Sequence, residues 1–445
     1  MSFSELGLDP AVLLALNSVG YEHPTPVQAK TIPAALAGQD LLVSSFTGSG
    51  KTAAFLLPSL TRLTAPAAVS GRGPRILVLT PTRELALQVE KAARTYGAKL
   101  PRLKVACLVG GMPYPLQLKQ LQAPVDIVVA TPGRLLDHLE RGRIDFKRLE
   151  VLVLDEADRM LDMGFIDDIE TIVGRTPDTR QTLMFSATMD GVVGTLAKKL
   201  TRDAKRIEIA STPELKANID QRMMFVDSLS HKNKLLDHLL RDVKIDQALV
   251  FTATKRSADE LSDTLREQGF LANALHGDMS QGQRNRTLKG LRDGRTRVLV
   301  ATDVAARGID VAGISHVINF DAPRQAEDYV HRIGRTGRAG RSGFAVTLIN
   351  PSERRLVRDI ERYTGQTVPV DTIPGLEPTI REERPARKPH PTVRHRIPGG
   401  NDFRSSAKPA EGYRAGKPKS GGSPFASAQR PDREGSPARR RSFNY

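Results

Sequence analysis

The sequence predicts an α/β protein: two parallel-sheet domains in tandem, followed by a disordered basic C-terminal tail. Three observations point to this. Short runs rich in Val, Ile and Leu recur along the chain with little in–out alternation, as strands do when helices cover both faces. Stretches of helical period such as Glu84–Tyr96 and Lys232–Arg241 lie between the runs and supply the crossovers that parallel strands need. From about Gly375 the composition changes to Arg, Lys, Pro, Gly and Ser, with too few apolar residues to offset the entropy of ordering.

The runs fall into two groups. Asp40–Ser44, Arg75–Thr80, Val125–Ala130, Val151–Leu154 and Thr182–Phe185 form the first. Ala248–Phe251, Arg297–Ala301, His316–Phe320 and Phe344–Ile349 form the second. Residues 211–220 lie between the groups; they are polar, contain a proline and lack a strong apolar period, so they are expected to be a linker. The predicted layout is an N-terminal segment 1–30, a first domain 31–210, the linker, a second domain 221–374 and the tail 375–445.

With 445 residues, 39% hydrophobic and 26% charged, most of the chain can bury cores of ordinary size. The formal net charge is +16, and its position matters more than its size. Residues 381–445 carry 16 Lys and Arg against 6 Asp and Glu, a net of +10. The remaining 380 residues carry 50 against 44, a net of +6. A polyanion partner is the natural inference. The single cysteine, Cys107, excludes an intrachain disulfide and a multi-cysteine metal cluster. The apolar run Ala11–Leu16 is too short for a signal core and follows Glu5 and Asp9, not a basic region. Nothing approaches the roughly 18 apolar residues of a membrane helix. A cytoplasmic protein without a membrane partner is expected.

In open parallel α/β sheets, ligands bind outside the carboxyl ends of the strands. The unusual clusters of this sequence fall there. The first is Ser45-Phe-Thr-Gly-Ser-Gly-Lys-Thr52, between an apolar run and the helical Ala53–Leu57. Ser45, Thr47, Gly48, Ser49 and Gly50 would form a loop whose backbone N–H groups turn inward around phosphate oxygens. Lys51 would reach the β- and γ-phosphates of a nucleotide such as ATP, and the Thr52 hydroxyl would bind Mg²⁺. Ser45 stands where the general pattern has its first glycine. Taken alone, a Gly-rich turn that happens to end in Gly-Lys-Thr remains an alternative.

The second cluster, Asp155-Glu-Ala-Asp158, directly follows Val151–Leu154. Carboxylates at the end of a buried strand are poorly explained by solubility. Asp155 is suited to hold Mg²⁺, usually through water, and Glu156 to accept a proton from an attacking water. Ser186-Ala-Thr188 follows the next run, and the hydroxyls of Ser186 and Thr188 would bond Asp158. The third cluster, His331-Arg-Ile-Gly-Arg-Thr-Gly-Arg338, lies in the second domain. An arginine against the γ-phosphate is worth about 10³–10⁵ in rate. Arg335 and Arg338 are the candidates, and because Lys51 is on the other domain, hydrolysis would need the domains to close.

Together these clusters resemble the DEAD-box RNA helicases, over a match running from about Phe3 to Ile349. The resemblance implies two RecA-like domains, ATP and Mg²⁺ as ligands, and further site residues. Gly20-Tyr-Glu-His-Pro-Thr-Pro-Val-Gln28 would recognise adenine, Gln28 reading its edge and Tyr21 stacking on the ring, with the isolated aromatic Phe3 upstream as a further nucleotide-binding residue. Gly308 and Asp310, in Arg307-Gly-Ile-Asp310, would approach the ribose and triphosphate, and His331 would couple the ATP site to the RNA side. The RNA track would use Pro81, Thr82 and Arg83, Gly110 and Gly111, and Thr131, Gly133 and Arg134 in the first domain. In the second it would use Thr252, Gln281, Arg284 and Thr302. Glycines permit close approach, while Arg and Thr donate to phosphates without reading bases.

The continuation Arg159-Met-Leu-Asp-Met-Gly-Phe165, with a basic extension lacking a folded module, is most similar to the bacterial RhlE-type group. The resemblance implies RNA-stimulated ATP hydrolysis that opens short duplexes or remodels ribonucleoprotein, in a monomer whose partners are single-stranded and short duplex RNA. Ribosome precursors and the RNA-degradation machinery are candidate larger partners. The alternatives are an ATP-gated RNA clamp that does not unwind, then a DNA-translocating helicase, then a purely binding protein.

Overall fold

The sequence builds two parallel sheets, seen in a computed structural model that describes residues 1–45, 48–189, 191–209, 219–242, 245–306, 309, 313–337 and 341–379. The first sheet contains β1 (Leu41–Ser44), β2 (Ile76–Leu79), β3 (Val105–Leu108), β4 (Ile127–Ala130), β5 (Val151–Leu154), β6 (Gln181–Ser186) and β7 (Lys205–Glu208). The second contains β8 (Ile219–Phe225), β9 (Gln247–Phe251), β10 (Ala272–Leu275), β11 (Val298–Ala301), β12 (Ile314–Asn319) and β13 (Gly343–Ile349). Their orders are β3-β4-β2-β5-β6-β1-β7 and β10-β11-β9-β12-β13-β8. The second order is the first with every number raised by seven and β7 left out, so the two domains repeat one topology. All the strand pairs run parallel.

Successive residues of a strand point to opposite faces, and the core divides accordingly. Ile76, Val78, Val129, Val151 and Val153 pack on one face of the first sheet, with Phe55 and Leu56 of the helix Lys51–Thr64. Leu77, Leu79, Val128, Leu152 and Leu154 pack on the other, with Leu135 and Ile169. The second sheet divides likewise, Leu249, Phe251 and Leu299 against Ala248, Val250 and Val298. Helices on both faces explain why these strands read as unbroken apolar runs.

The strands missing from the predicted runs are β3, β7, β8 and β10, and these four are the sheet edges. An edge strand has one neighbour and needs less apolar surface. β7, with sequence Lys-Arg-Ile-Glu, buries only Ile207. Because β8 begins at Ile219, the expected linker 211–220 gives up its last two residues to the second sheet; residues 211–218 lie outside the described ones.

The chain beyond the last helix, Arg354–Thr364, returns along β8 and covers its open side, as buried edges require. The Met223 N–H donates to the Pro369 carbonyl (2.9 Å), and the Asp371 N–H to the Met223 carbonyl (2.8 Å). His231 Nε2 donates to the Leu376 carbonyl (2.9 Å), and the Thr379 N–H and hydroxyl both donate to Asp227 (2.7 Å each). Residues 375–379, expected in the tail, therefore belong to this strap. The rest of the expected disordered tail, from residue 380, lies outside the described residues. Among the described residues no helix is long and apolar enough to cross a membrane.

Candidate functional site

Strand order sorts the candidate residues into two neighbouring sets. In the first sheet, β5, β6 and β1 are adjacent and end at Asp155, Ser186 and Ser45, the phosphate and carboxylate clusters. The strands β3, β4 and β2 are also adjacent, and they lead to Gly110, Thr131 and Pro81. Leu108, Ala130, Leu79 and Leu154 are in register, so the ends of β3, β4, β2 and β5 lie at one level; β6 and β1, where Ser186 pairs with Ser44, run two residues further. The second sheet does the same: β10, β11 and β9 lead to Gln281, Thr302 and Thr252.

The loop after β1 is knitted at its base. The Ser45 N–H donates to the Ser186 carbonyl (3.2 Å) and the Ser49 hydroxyl to the Ser45 hydroxyl (3.2 Å). Lys51 Nζ donates to the Ser45 carbonyl (3.0 Å), which parks the ammonium at the loop mouth. Serine in place of the pattern's first glycine is thus built into the base of the loop. Gly50 opens the helix at φ +92°, and a Cβ there would sit 2.5 Å from Gln28 Nε2, so only glycine fits. Gln28 is buried; its amide donates to the Gly50 carbonyl (3.1 Å) and its oxygen accepts from the Thr25 N–H (2.9 Å). The carboxamide therefore links the N-terminal segment to the loop. Thr47 lies outside the described residues, while Gly48 is exposed and Thr52 half-buried.

Tyr21 is exposed and meets Tyr96 edge-on, ring centroids 5.8 Å apart, leaving a face for stacking. Phe3 differs from expectation. It is 4% exposed, in the core that holds Val27 and Ile32, so it supports the helix Pro26–Leu36 of Gln28 and presents no face to a base.

Asp155 is 2% exposed. Burial pushes its carboxyl up to about 7, with Lys51 opposing the rise and Glu156 adding to it. Its Oδ1 is buried without a hydrogen-bond partner, an unmet charge that a hard cation would satisfy together with the Thr52 hydroxyl. Among the described residues no three His, Cys, Asp or Glu side chains are grouped so that they could hold a metal ion by themselves, so such a cation would take its other ligands from phosphate and water. Glu156 sits at φ +54°, a left-handed conformation costly for any residue with a Cβ and concentrated at functional sites.

Asp158 and Ser186 are joined, but through the backbone. The Asp158 N–H donates to Ser186 Oγ (3.4 Å), and Asp158 Oδ2 accepts from the Ala187 N–H (3.0 Å). Thr188 contributes its N–H to Ser186 Oγ (3.3 Å), not the hydroxyl expected from sequence.

On the other set, Arg83 Nη1 donates to the Gly110 carbonyl (2.9 Å) while its buried Nε has no partner. Thr82 and Thr254 cap the helices that follow β2 and β9. Thr131 precedes the helix Pro132–Glu140 at its N-cap position without a side-chain capping bond; that helix carries Gly133 and Arg134, and Arg134 donates to the Met112 carbonyl (3.4 Å). Gly111, at φ +69°, faces the second domain: a Cβ there would lie 3.7 Å from Gln281. Arg284 is committed across that junction. Its guanidinium binds Glu84 (3.0 Å) and reaches the carbonyls of His276 and Ala305 (3.3 and 3.4 Å).

A second cross-sheet ion pair stands beside the first set. Arg159, following the acidic cluster, binds Asp328 (2.8 Å) on the helix Ala326–Ile333 that carries His331. Arg335 is 7% exposed and donates to the carbonyls of Ile309 (3.1 Å) and His331 (3.3 Å). His331 Nδ1 is buried without a partner. Arg338, Gly308 and Asp310 lie outside the described residues.

Residues 25–196 match the DEAD/DEAH box helicase model and residues 231–340 the helicase conserved C-terminal domain model. ATP-dependent RNA helicase SrmB of Escherichia coli K12 is 45% identical over 381 residues, 85% of this chain and 86% of SrmB. The chain belongs to the DEAD/DEAH box helicase family. ATP-dependent RNA helicase DeaD of Mycobacterium tuberculosis H37Rv is 46% identical over 376 residues, 84% of this chain but 66% of its own length. For DeaD of Escherichia coli K12 that share is 59%, so the chain spans less than two thirds of these relatives. Among solved structures, S. cerevisiae Dbp5 bound to RNA and ADP BeF3 matches at TM-score 0.75 and 31% identity, over 84% of this chain and 95% of Dbp5. Mss116p bound to ssRNA and AMP-PNP matches at 0.76 and 30%, over 84% and 80%.

Two ion pairs at the site escaped the sequence. Glu84 and Arg284 stand 200 positions apart, Arg159 and Asp328 169 apart, and no periodicity links residues so distant.

Proposed function

We propose that the chain is an ATP-dependent RNA helicase, hydrolysing ATP when RNA is bound and opening short duplexes or remodelling ribonucleoprotein by domain closure. One observation carries this reading: each of the two adjacent sets of strand ends is tied to the second domain by a shielded ion pair, Arg159–Asp328 beside one and Glu84–Arg284 beside the other. A nucleotide and an RNA strand bound side by side would both favour the closed state, and each would raise the other's affinity. The relatives' names and the RNA-bound neighbours support RNA as the polymer.

Lys51 would leave the Ser45 carbonyl for the β- and γ-phosphates. Asp155, through water, and Thr52 would hold Mg²⁺, which when bound neutralises phosphate charge. Glu156 would take the proton of the attacking water, and Arg335 with Arg338 would stabilise charge on the transferred phosphoryl group. Arg83, with its free Nε, and the threonine-capped helix starts would bind sugar–phosphate without sequence preference. RhlE-type character, monomeric action in the cytoplasm, and ribosome precursors or RNA-degradation complexes as targets complete the proposal.

The test sets RNA-stimulated ATPase beside displacement of a short RNA duplex. Lys51→Ala and Glu156→Gln should abolish both; a purified Glu156→Gln protein turning over near the parent rate would reject the general-base role. The same two ion pairs also suit an ATP-gated clamp. ATPase without displacement would select it.

A further inference from the structure

The repeat of topology between the sheets extends to two side chains that the functional reading leaves unused. Lys51 lies seven positions after Ser44, the last residue of β1; Lys232 lies seven after Phe225, the last residue of β8, which takes β1's place in the second sheet. Asp155 follows β5, its N–H donating to the carbonyl of Leu79 at the end of β2; Asp321 follows β12, its N–H donating to the carbonyl of Phe251 at the end of β9. The second domain thus places a lysine and a carboxylate at the positions of Lys51 and Asp155 in the first, which would bind phosphate and cation.

Their settings differ. In the first domain six residues separate β1 from the helix, Lys51 turns back to the Ser45 carbonyl, and Asp155 Oδ1 is left without a partner. In the second, three residues separate β8 from the helix Leu229–Leu240, too few for a phosphate cradle. Lys232 Nζ instead donates to Asp321 Oδ1 (3.0 Å) and lies 5.2 Å from the Phe320 ring centroid. The pair is closed on itself, and Lys232 is 7% exposed.

Asp321 then holds two further elements. Its Oδ2 accepts from the Ala253 N–H (2.9 Å), between Thr252 and Thr254 in the loop after β9. Its carbonyl accepts from Arg332 Nη1 (2.7 Å), next to His331. Arg332 also grips Asp303, beside Thr302, through Nε (2.6 Å) and Nη2 (2.7 Å), and lies 5.0 Å from the Phe251 ring centroid. One aspartate therefore joins an RNA-track loop to the segment carrying His331 and Arg335.

We propose that Lys232 and Asp321 are positioning residues that transmit RNA engagement at Thr252 to the His331–Arg335 segment. This rests on the RNA-helicase reading above. Held by Lys232, the Asp321 carboxylate fixes Ala253 while the main-chain carbonyl of the same residue fixes Arg332, so one residue keeps both in one arrangement. Without the ammonium the half-buried carboxylate loses its counter-ion and the side chain its fixed position, so the bond to Ala253 loosens and with it the link to Arg332.

The test uses the full chain with a single-stranded oligouridine as probe, comparing the parent with Lys232→Met, Lys232→Arg and Asp321→Asn. ATPase is titrated separately with RNA and with ATP, and melting temperature is measured for each protein. Lys232→Met should raise the half-stimulating RNA concentration about tenfold, the scale of an ordinary coupling free energy, while the RNA-free rate and the KM for ATP stay within about twofold. Lys232→Arg should restore most of the loss. Asp321→Asn, which can still accept from Ala253, should show a smaller loss of the same kind and covers the case of a poorly folded Lys232→Met. An RNA dependence unchanged in a parent that is stimulated would overturn the proposal alone. Parallel loss of melting temperature, basal rate and RNA response in both variants would reduce the pair to a structural role and also overturn it. A parent without RNA stimulation would overturn the functional reading and this proposal together.

Discussion

At the scale of single residues, the site is shaped by a carboxylate buried without a hydrogen-bond partner for its Oδ1. Burial raises the Asp155 carboxyl to about 7, whereas an unfolded aspartate titrates near 3.9. Between those values the ligand-free folded protein holds a proton that the unfolded chain does not, so stability falls as pH rises from about 4 to about 7. Above that window the full cost of the ionised group is present. Asp155→Asn should remove this part of the pH dependence: melting scans of ligand-free parent and variant at about pH 5 and pH 8 should show the gap between them widening in favour of the variant at the higher pH. A gap independent of pH would mean that Asp155 is already ionised without ligand. The same burial predicts that binding Mg²⁺ and ATP below about pH 7 releases a proton, measurable by calorimetry in buffers of different ionisation enthalpy.

At the scale of elements, what could be read from the sequence follows what each strand must cover. The central strands β2, β4, β5 and β6, flanked on both sides, are apolar enough to recognise in one dimension. Edge strands such as β7 are not. The phosphate loop and the acidic cluster were legible because one short segment holds all their chemistry; the ion pairs between domains were not, because each partner is an ordinary surface charge until the fold pairs it. Phe3 misled for a related reason: an isolated aromatic looks available until three dimensions bury it. Removing one partner of the Glu84–Arg284 pair, with side chains 13% and 12% exposed, should cost more than breaking a surface bridge. Glu84→Gln leaves Arg284 its bonds to His276 and Ala305 but removes the charge across the junction. Its expected effect is to weaken the mutual enhancement of ATP and RNA binding about tenfold, a normal coupling energy, with little change in ATP affinity measured without RNA. Equal enhancement in parent and variant, by titrating a fluorescent nucleotide with and without RNA, would show that the pair does not act in closure.

At the scale of the whole chain, most of the net positive charge lies after the ordered strap: residues 381–445 carry +10 of the total +16. Such a segment should add affinity for RNA of any sequence, because each Lys or Arg that meets a phosphate releases a counterion. Deleting residues 381–445 should weaken RNA binding and flatten its dependence on salt, by roughly 0.7 in the log–log slope for each single-strand phosphate no longer neutralised, with RNA-free ATPase retained. Where the chain is cut decides what is measured. Removal from residue 375 would also take away the bonds of Leu376 to His231 and of Thr379 to Asp227, which tie the end of the strap to the start of the helix Leu229–Leu240, while the Pro369 and Asp371 bonds to Met223 of β8 stay. That longer deletion should lower the melting temperature, whereas the cut at 381 should not. An unchanged affinity and salt slope in the stable, shorter deletion would show that RNA binding resides in the two sheets alone.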